Sequence, residues 1–209
     1  SYRNSDVNSY RLGIDLLIKS GYSVIRIGRD TKTELKIDSP KFFDLNYSEA
    51  SSDLLDIWLV AHCDGLISTG TGHDVLASIY NKKVLFVNFL PVISIHSFHP
   101  TLTAPKKLRW KSNGSILSVS DTLTAAYFHT DQYEMQGITI EDLNEQEIES
   151  IILEFLEYLH SDQNINTTGR SAKFWEIYKK HHLRVHYTKF IHPKAMISQV
   201  WLNHLTKVE

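Results

Sequence analysis

The run Leu66-Ile67-Ser68-Thr69-Gly70-Thr71-Gly72-His73-Asp74 holds the residue types that an anion needs. Gly70 and Gly72 allow unusual backbone angles and close approach of a ligand to the main chain. Ser68, Thr69 and Thr71 supply hydroxyl donors. The residues behind them read as a helix, whose first N–H groups have no intrahelical partner and carry the positive end of the dipole. Such a turn can cradle a phosphate or diphosphate; the plainer alternative is a strand-to-helix turn with an N-cap. No Gly-Lys-Ser/Thr follows, so this is not a Walker A loop, and the spacing is not that of a dinucleotide fingerprint. Asp74 suits a helix start but would repel phosphate, so it is expected to point aside. A Val at Gly72 should add bulk, demand a strained backbone angle and weaken nucleotide binding by more than Ser68→Ala.

A second group, Arg26, Gly28 and Arg29, follows a β-branched run. Arg26 could pair bidentately with a phosphate oxygen; the alternative is a surface Arg paired to Asp30 or Glu34. His96 and His99 are spaced like metal ligands, but no carboxylate or thiolate accompanies them, and His96 is expected to touch substrate instead. No metal site is expected from His181, His182, His186 and His192 either, because they match no ligand motif. Cys63, the single cysteine, reads as a core thiol. Asp53, Asp56 and Asp74 are possible acid–base groups or simple helix-start charges. Lys106, Lys107, Arg109 and Lys111 surround Leu108 and Trp110. They read equally as a solvated charge run or as a contact surface for an anionic acceptor, a membrane face or another domain.

Periodicity supplies the elements that must position these groups. Val7 to Ser20 keeps helical spacing, with Gly21 as its stop. Tyr22 to Ile27 and Phe42 to Leu45 read as strands. Ser51 to His62 is a helix capped by Ser51 or Ser52, with Leu54, Leu55, Trp58 and Leu59 as its apolar face. Gly65 to Ile67 is a strand, Asp74 to Tyr80 a helix and Val84 to Phe89 a buried strand. Alternating strands and helices argue for a parallel sheet with right-handed crossovers, its loops gathered on one edge. The segment from Pro91 to Gly114 reads as a long loop. Glu145 to His160 is an amphipathic helix with Ile148, Ile151, Ile152, Phe155 and Leu156 inward and Glu147, Glu149, Glu154 and Glu157 outward. Lys173 to His182 and Ile197 to Leu205 are further helices.

The 209 residues can bury a core without disulfides or metal. A formal net charge of −2 gives no electrostatic case for nucleic-acid binding, and 42% hydrophobic residues exclude a disordered chain. The most apolar stretch, Val84 to Ile95, is too short to span a membrane.

Taken together, several blocks resemble a family of bacterial glycosyltransferases from surface-polysaccharide biosynthesis clusters. They are Tyr2-Arg3-Asn4-Ser5-Asp6, Gly21-Tyr22-Ser23-Val24-Ile25-Arg26-Ile27-Gly28, Ser52-Asp53-Leu54-Leu55-Asp56, Ile67 to Gly72, Val87-Asn88-Phe89-Leu90-Pro91, His96-Ser97 and Pro105-Lys106-Lys107. The blocks keep the family's order over roughly two-thirds of the chain. The resemblance implies a Rossmann-like, doubly wound α/β sheet, one half of a GT-B fold, with residues 1–160 as the nucleotide-sugar-binding domain. Residues 161–209 would be a helical extension packed on it. It further implies a nucleoside diphosphate sugar as substrate, no cofactor, and a glycan or lipid-linked acceptor. A further N-terminal domain and a first strand before Arg3-Asn4 would complete the enzyme. Location would be cytoplasmic, with peripheral contact at the inner membrane face. Arg26, Gly28 and the Ser68 to Gly72 turn look like donor-phosphate ligands, and Arg3, Asn4 and His96 like substrate contacts. The rivals are a non-catalytic nucleotide- or glycan-binding scaffold and another sugar-nucleotide enzyme such as an epimerase.

Overall fold

A computed structural model describes residues 2–29, 31, 33–161, 169–181 and 190–205. The order is a 3-10 turn (Val7–Tyr10), α1 (Arg11–Lys19), β1 (Val24–Arg26), β2 (Phe42–Asp44), α2 (Asp53–His62), β3 (Gly65–Ser68), α3 (His73–Ile79) and β4 (Lys83–Phe89). Then come β5 (Thr101–Pro105), β6 (Lys107–Trp110), α4 (Val119–Thr124), α5 (Thr130–Met135) and β7 (Ile138–Glu141). α6 (Glu145–His160), α7 (Gly169–Lys180), β8 (Met196–Ile197) and α8 (Gln199–His204) complete the described chain.

The protein is a mixed α/β fold. β3, β4, β5 and β8 form a sheet in that order, and each pairing is parallel. β4 is buried from Val84 onward, as its near-continuous apolar run dictates for a strand covered on both faces. Alternation along β3 shows which helices cover which face. A side chain on Gly65 would meet Phe155 and Leu159 of α6, whereas the Ser68 hydroxyl faces Asp74 in α3. α1 packs along α6, and α2 along α3. The two helix pairs therefore lie on opposite faces.

β1 corrects one expectation. It pairs in parallel with β2 in a separate two-stranded sheet and not with β3. The Pro91 to Gly114 segment is another correction, since it holds β5 and β6. Two prolines and a Thr-rich, very short run hid β5, whose residues are all buried in the sheet. The C-terminal residues contribute β8 as well as helices, and β8 pairs with β5.

α2 begins as its sequence dictates, with Ser52 Oγ accepting the Leu55 N–H. Its apolar face does not. Leu54 is 78% exposed and Trp58 54%, while Asp56 and Val60 point inward. Trp58 stacks on His62 and, with Leu59, borders a cavity between β1 and β3 in place of a continuous sheet.

The basic run is also corrected. Lys106 and Lys107 are buried. Lys106 Nζ donates to the Asn4 carbonyl and to Asp142, both at 2.6 Å. Lys107 is held by Glu141 and Glu147, and Arg109 by Glu141. Only Lys111 of the four is exposed, so this is neither a solvated run nor a basic surface. Glu147 and Glu154, expected outward, are used inside. Glu154 accepts from Ser198 Oγ and the Gln199 N–H at the start of α8. Burial pushes its carboxyl up despite those bonds.

Candidate functional site

The Ser68–Gly72 turn leaves the carboxyl end of β3 and opens directly into α3, with Gly72 at the N-cap position. Ser68 is buried, Thr69 and Gly70 are half-buried, and Thr71 and Gly72 are exposed. Gly70 sits at φ +95°, and a side chain there would meet the Phe89 ring at 3.2 Å. Gly72 sits at φ −61° in open space. The backbone strain therefore lies at Gly70, and Gly72 does not need the unusual backbone angle expected of it. Gly70→Val should cost about 2 kcal/mol through left-handed strain and crowding, while Gly72→Ala should stay near wild type. Urea unfolding of both variants measures the difference.

The turn is closed on itself. The Gly70 N–H donates to Ser68 Oγ at 3.1 Å, and the Thr71 N–H donates to Asp74 Oδ2 at 2.6 Å. Asp74 thus points into the turn and not aside. It is fully buried, and its Oδ1 has no hydrogen-bond partner. Burial pushes its carboxyl up, opposed by the bonds from Ser68 and Thr71. A carboxylate of the chain itself occupies the amide that a phosphate oxygen would use.

Arg26 does not reach the turn. Its Nη1 donates to Asp44 Oδ2 at 2.7 Å and to the Thr33 carbonyl at 2.8 Å. Asp44 also accepts the Leu35 N–H, so the pair pins residues 33–35 onto β2. The charge partner lies 18 residues away, on the paired strand, and not at Glu34; Asp30 lies outside the described residues. Gly28 adopts φ +133°, which a glycine supplies without strain. Arg29 pairs with Asp53 at the surface.

His96 does stand near the turn. Its ring lies 4.9 Å from the Phe86 ring and 5.8 Å from the Phe89 ring, and Phe89 is the neighbour of Gly70. Burial holds its imidazole below the ordinary range. His99, pushed down to about 4 by burial and by His96 and His192, has both ring nitrogens unpartnered. Among the described residues no group of three or more side chains could hold a metal. His182 and His186 lie outside the described residues.

The N-terminal segment arrives at the same edge. Asn88, at the end of β4, donates to Ser5 Oγ at 2.9 Å, and Lys106, just past β5, holds the Asn4 carbonyl. Ser5 lines the same cavity as Ser68 and Thr69. Arg3 is exposed and bonds the Tyr2 hydroxyl at 2.9 Å.

A His–Asp contact escaped the sequence reading. His73 Nε2 lies 3.4 Å from Asp56 Oδ2, with Asp56 buried. Asp56 was legible as a possible acid–base group; its partner was not, because only the packing of α2 on α3 brings them together.

Comparisons with family models, with curated proteins and with solved structures gave no match to the chain. No described helix is long and apolar enough to cross a membrane.

Proposed function

We propose that this chain is the donor-binding portion of a glycosyltransferase, one Rossmann-like half of a GT-B-like enzyme. It would move a sugar from a nucleoside diphosphate donor to a surface-glycan or lipid-linked acceptor. One observation carries the reading. The Ser68–Gly72 turn follows a strand of a parallel sheet, its Ser68 and Thr69 line one cavity with Ser5, which follows Arg3-Asn4, and the Phe89 ring stands between Gly70 and His96. Ligands of open α/β sheets bind at this edge. The sequence blocks supply the reaction class.

In this reading the chain's work is positioning the leaving diphosphate and neutralising its charge. Thr69 and Thr71 would offer hydroxyls and the exposed Thr71–Gly72 backbone its amides. The Thr71 N–H becomes available only when Asp74 releases it. Arg26 serves the fold through Asp44, and the exposed Arg3, two residues before Ser5, is the cation this reading assigns to the diphosphate. His73, oriented by Asp56, is the acid–base group adjoining the turn.

A screen of nucleoside diphosphates and their sugars by thermal shift tests the reading, because a bound ligand raises stability by mass action. Asp74→Asn should tighten the best hit by about tenfold, since it removes a like charge beside the phosphate. Calorimetry on both proteins measures it; equal or weaker binding by the variant would remove the turn from the site. The filled turn favours a second reading, a non-catalytic nucleotide- or glycan-binding scaffold. Sugar-nucleotide turnover separates the two.

A further inference from the structure

α2 and α3 are apolar on their outer faces as well as their inner ones. The two helices pack side by side, joined by the His73–Asp56 contact. Each turns one stripe toward the rest of the fold: Asp56 and Val60 in α2, Asp74 and Ala77 in α3. On the opposite stripes Leu54 and Ile57 lie three residues apart, Val75 and Ile79 lie four apart, and Tyr80 closes α3. Leu54 is 78% exposed, Ile79 69%, Val75 59%, Tyr80 44% and Ile57 38%. Trp58, on the cavity side of α2, stands apart from this patch.

Neither helix contains a lysine, an arginine or a glutamate. The outer face of a surface helix carries charged and polar residues, and a helix that is apolar all round is a covered one. α7 shows the ordinary pattern in the same chain. Its Lys173, Glu176, Lys179 and Lys180 are exposed, while Phe174, Trp175 and Tyr178 are buried.

The area and the charges of the face decide what covers it. A large side chain presents roughly 150–250 Å², so the five leave on the order of 500 Å² of apolar surface open. That is the size of an interface core, to which a polar rim adds the rest of the about 800 Å² per partner that a stable dimer needs. A two-fold axis brings residues of the face close to their own copies, so any charge within it would meet its like. The five residues carry none. A lipid surface is instead recognised by clusters of about 4–8 Lys and Arg. The rim here offers the neutral Arg29–Asp53 pair at the start of α2 and Lys82 just past α3.

We propose that this chain forms a two-fold homodimer through the outer faces of α2 and α3, with Leu54, Ile57, Val75, Ile79 and Tyr80 as the core of the interface. Each copy covers the other's apolar stripes, and α3 is then packed on both its sides. The inference stands apart from the ligand reading and uses neither the cavity beside β1 nor the Ser68–Gly72 turn.

Sedimentation velocity on the full chain, from about 1 to 100 μM, tests it. The 24.1 kDa chain should pass to twice its mass with a Kd of about 10 μM or tighter. Leu54→Lys and Ile79→Lys, at the two most exposed positions, should each weaken the dimer by at least tenfold and leave the circular dichroism and urea midpoint unchanged. A readout without substitution is amide exchange of residues 54–58 and 75–80, which should slow as concentration crosses the transition while α7 stays constant. A single-chain mass at about 100 μM overturns the proposal. So do a dimer unaffected by both lysine variants and a mass that grows without limit. A monomer that sediments with phosphatidylserine–phosphatidylcholine vesicles assigns the face to a membrane and overturns it too. If the lysine variants misfold, the exchange of the unsubstituted chain decides, and exchange independent of concentration overturns the proposal.

Discussion

Lys107→Met should destabilise the protein by about 3 kcal/mol in urea unfolding, because it strands carboxylates that the buried ammonium now serves. Lys107 Nζ lies 2.7 Å from Glu141 and 2.9 Å from Glu147. Glu147 also accepts the Asn144 N–H in the capping box of α6, so one lysine joins the β6–β7 hairpin to the start of that helix. Adding Glu147→Gln to Lys107→Met should recover part of the loss, which a double-mutant cycle resolves.

The same group sets a pH dependence. Burial opposes the charge on Glu141, but hydrogen bonds from Lys107 and Arg109 outweigh it and hold the carboxyl below the ordinary range. A depressed carboxyl contributes stability that is fully present above its unfolded value, about 4.3. That contribution is lost as pH falls through the lower folded value. Burial likewise opposes the Lys107 charge, and Glu141 and Glu147 hold it above the usual lysine value. Its contribution is full below the unfolded value and lost as pH rises through the higher folded one. Lys107→Met should flatten both flanks of the stability–pH curve.

The second large effect is expected at Asn88. It is fully buried, has φ +55° and lies at the β4–β5 register shift. Its Oδ1 accepts the Leu143 N–H at 2.8 Å while its Nδ2 holds Ser5. Asn88→Leu leaves a buried N–H unpaired and puts a γ-branched residue in a left-handed conformation, for a total of about 3 kcal/mol. Asn88→Gly removes the strain and keeps the unpaired N–H, so it should cost less than Asn88→Leu. Both variants should also free residues 2–5, visible as faster amide exchange there.

The elements legible in the sequence were those with a period or a punctuation mark. α1, α2, α3, β3, β4 and α6 fall where Gly21, Ser52, the Ser68–Gly72 turn and the apolar runs place them. β5 and β8 were hidden because their burial comes from neighbours distant in sequence, not from a pattern of their own. The exposed face of α2 was misread because amphipathic spacing presumes a wall to pack on, and the wall there is a gap. At the site, the turn, its position and the nearness of His96 followed from strand-to-helix alternation. The Asp44 partner of Arg26, the Asp74 closure and the His73–Asp56 contact did not. Each depends on which way one side chain turns, which spacing does not encode.

The central claim is a nucleotide-sugar donor site at the carboxyl edge of the parallel sheet. Titrating a nucleoside diphosphate into the isotope-labelled chain, and following every backbone amide and the His96 ring by NMR, tests it most directly. The account predicts saturable shifts concentrated at Thr69, Gly70, Thr71 and Gly72, at residues 3–5 and at His96, with the Thr71 amide moving as Asp74 lets go. Saturable shifts confined to other surfaces, or none at millimolar nucleotide, would contradict it.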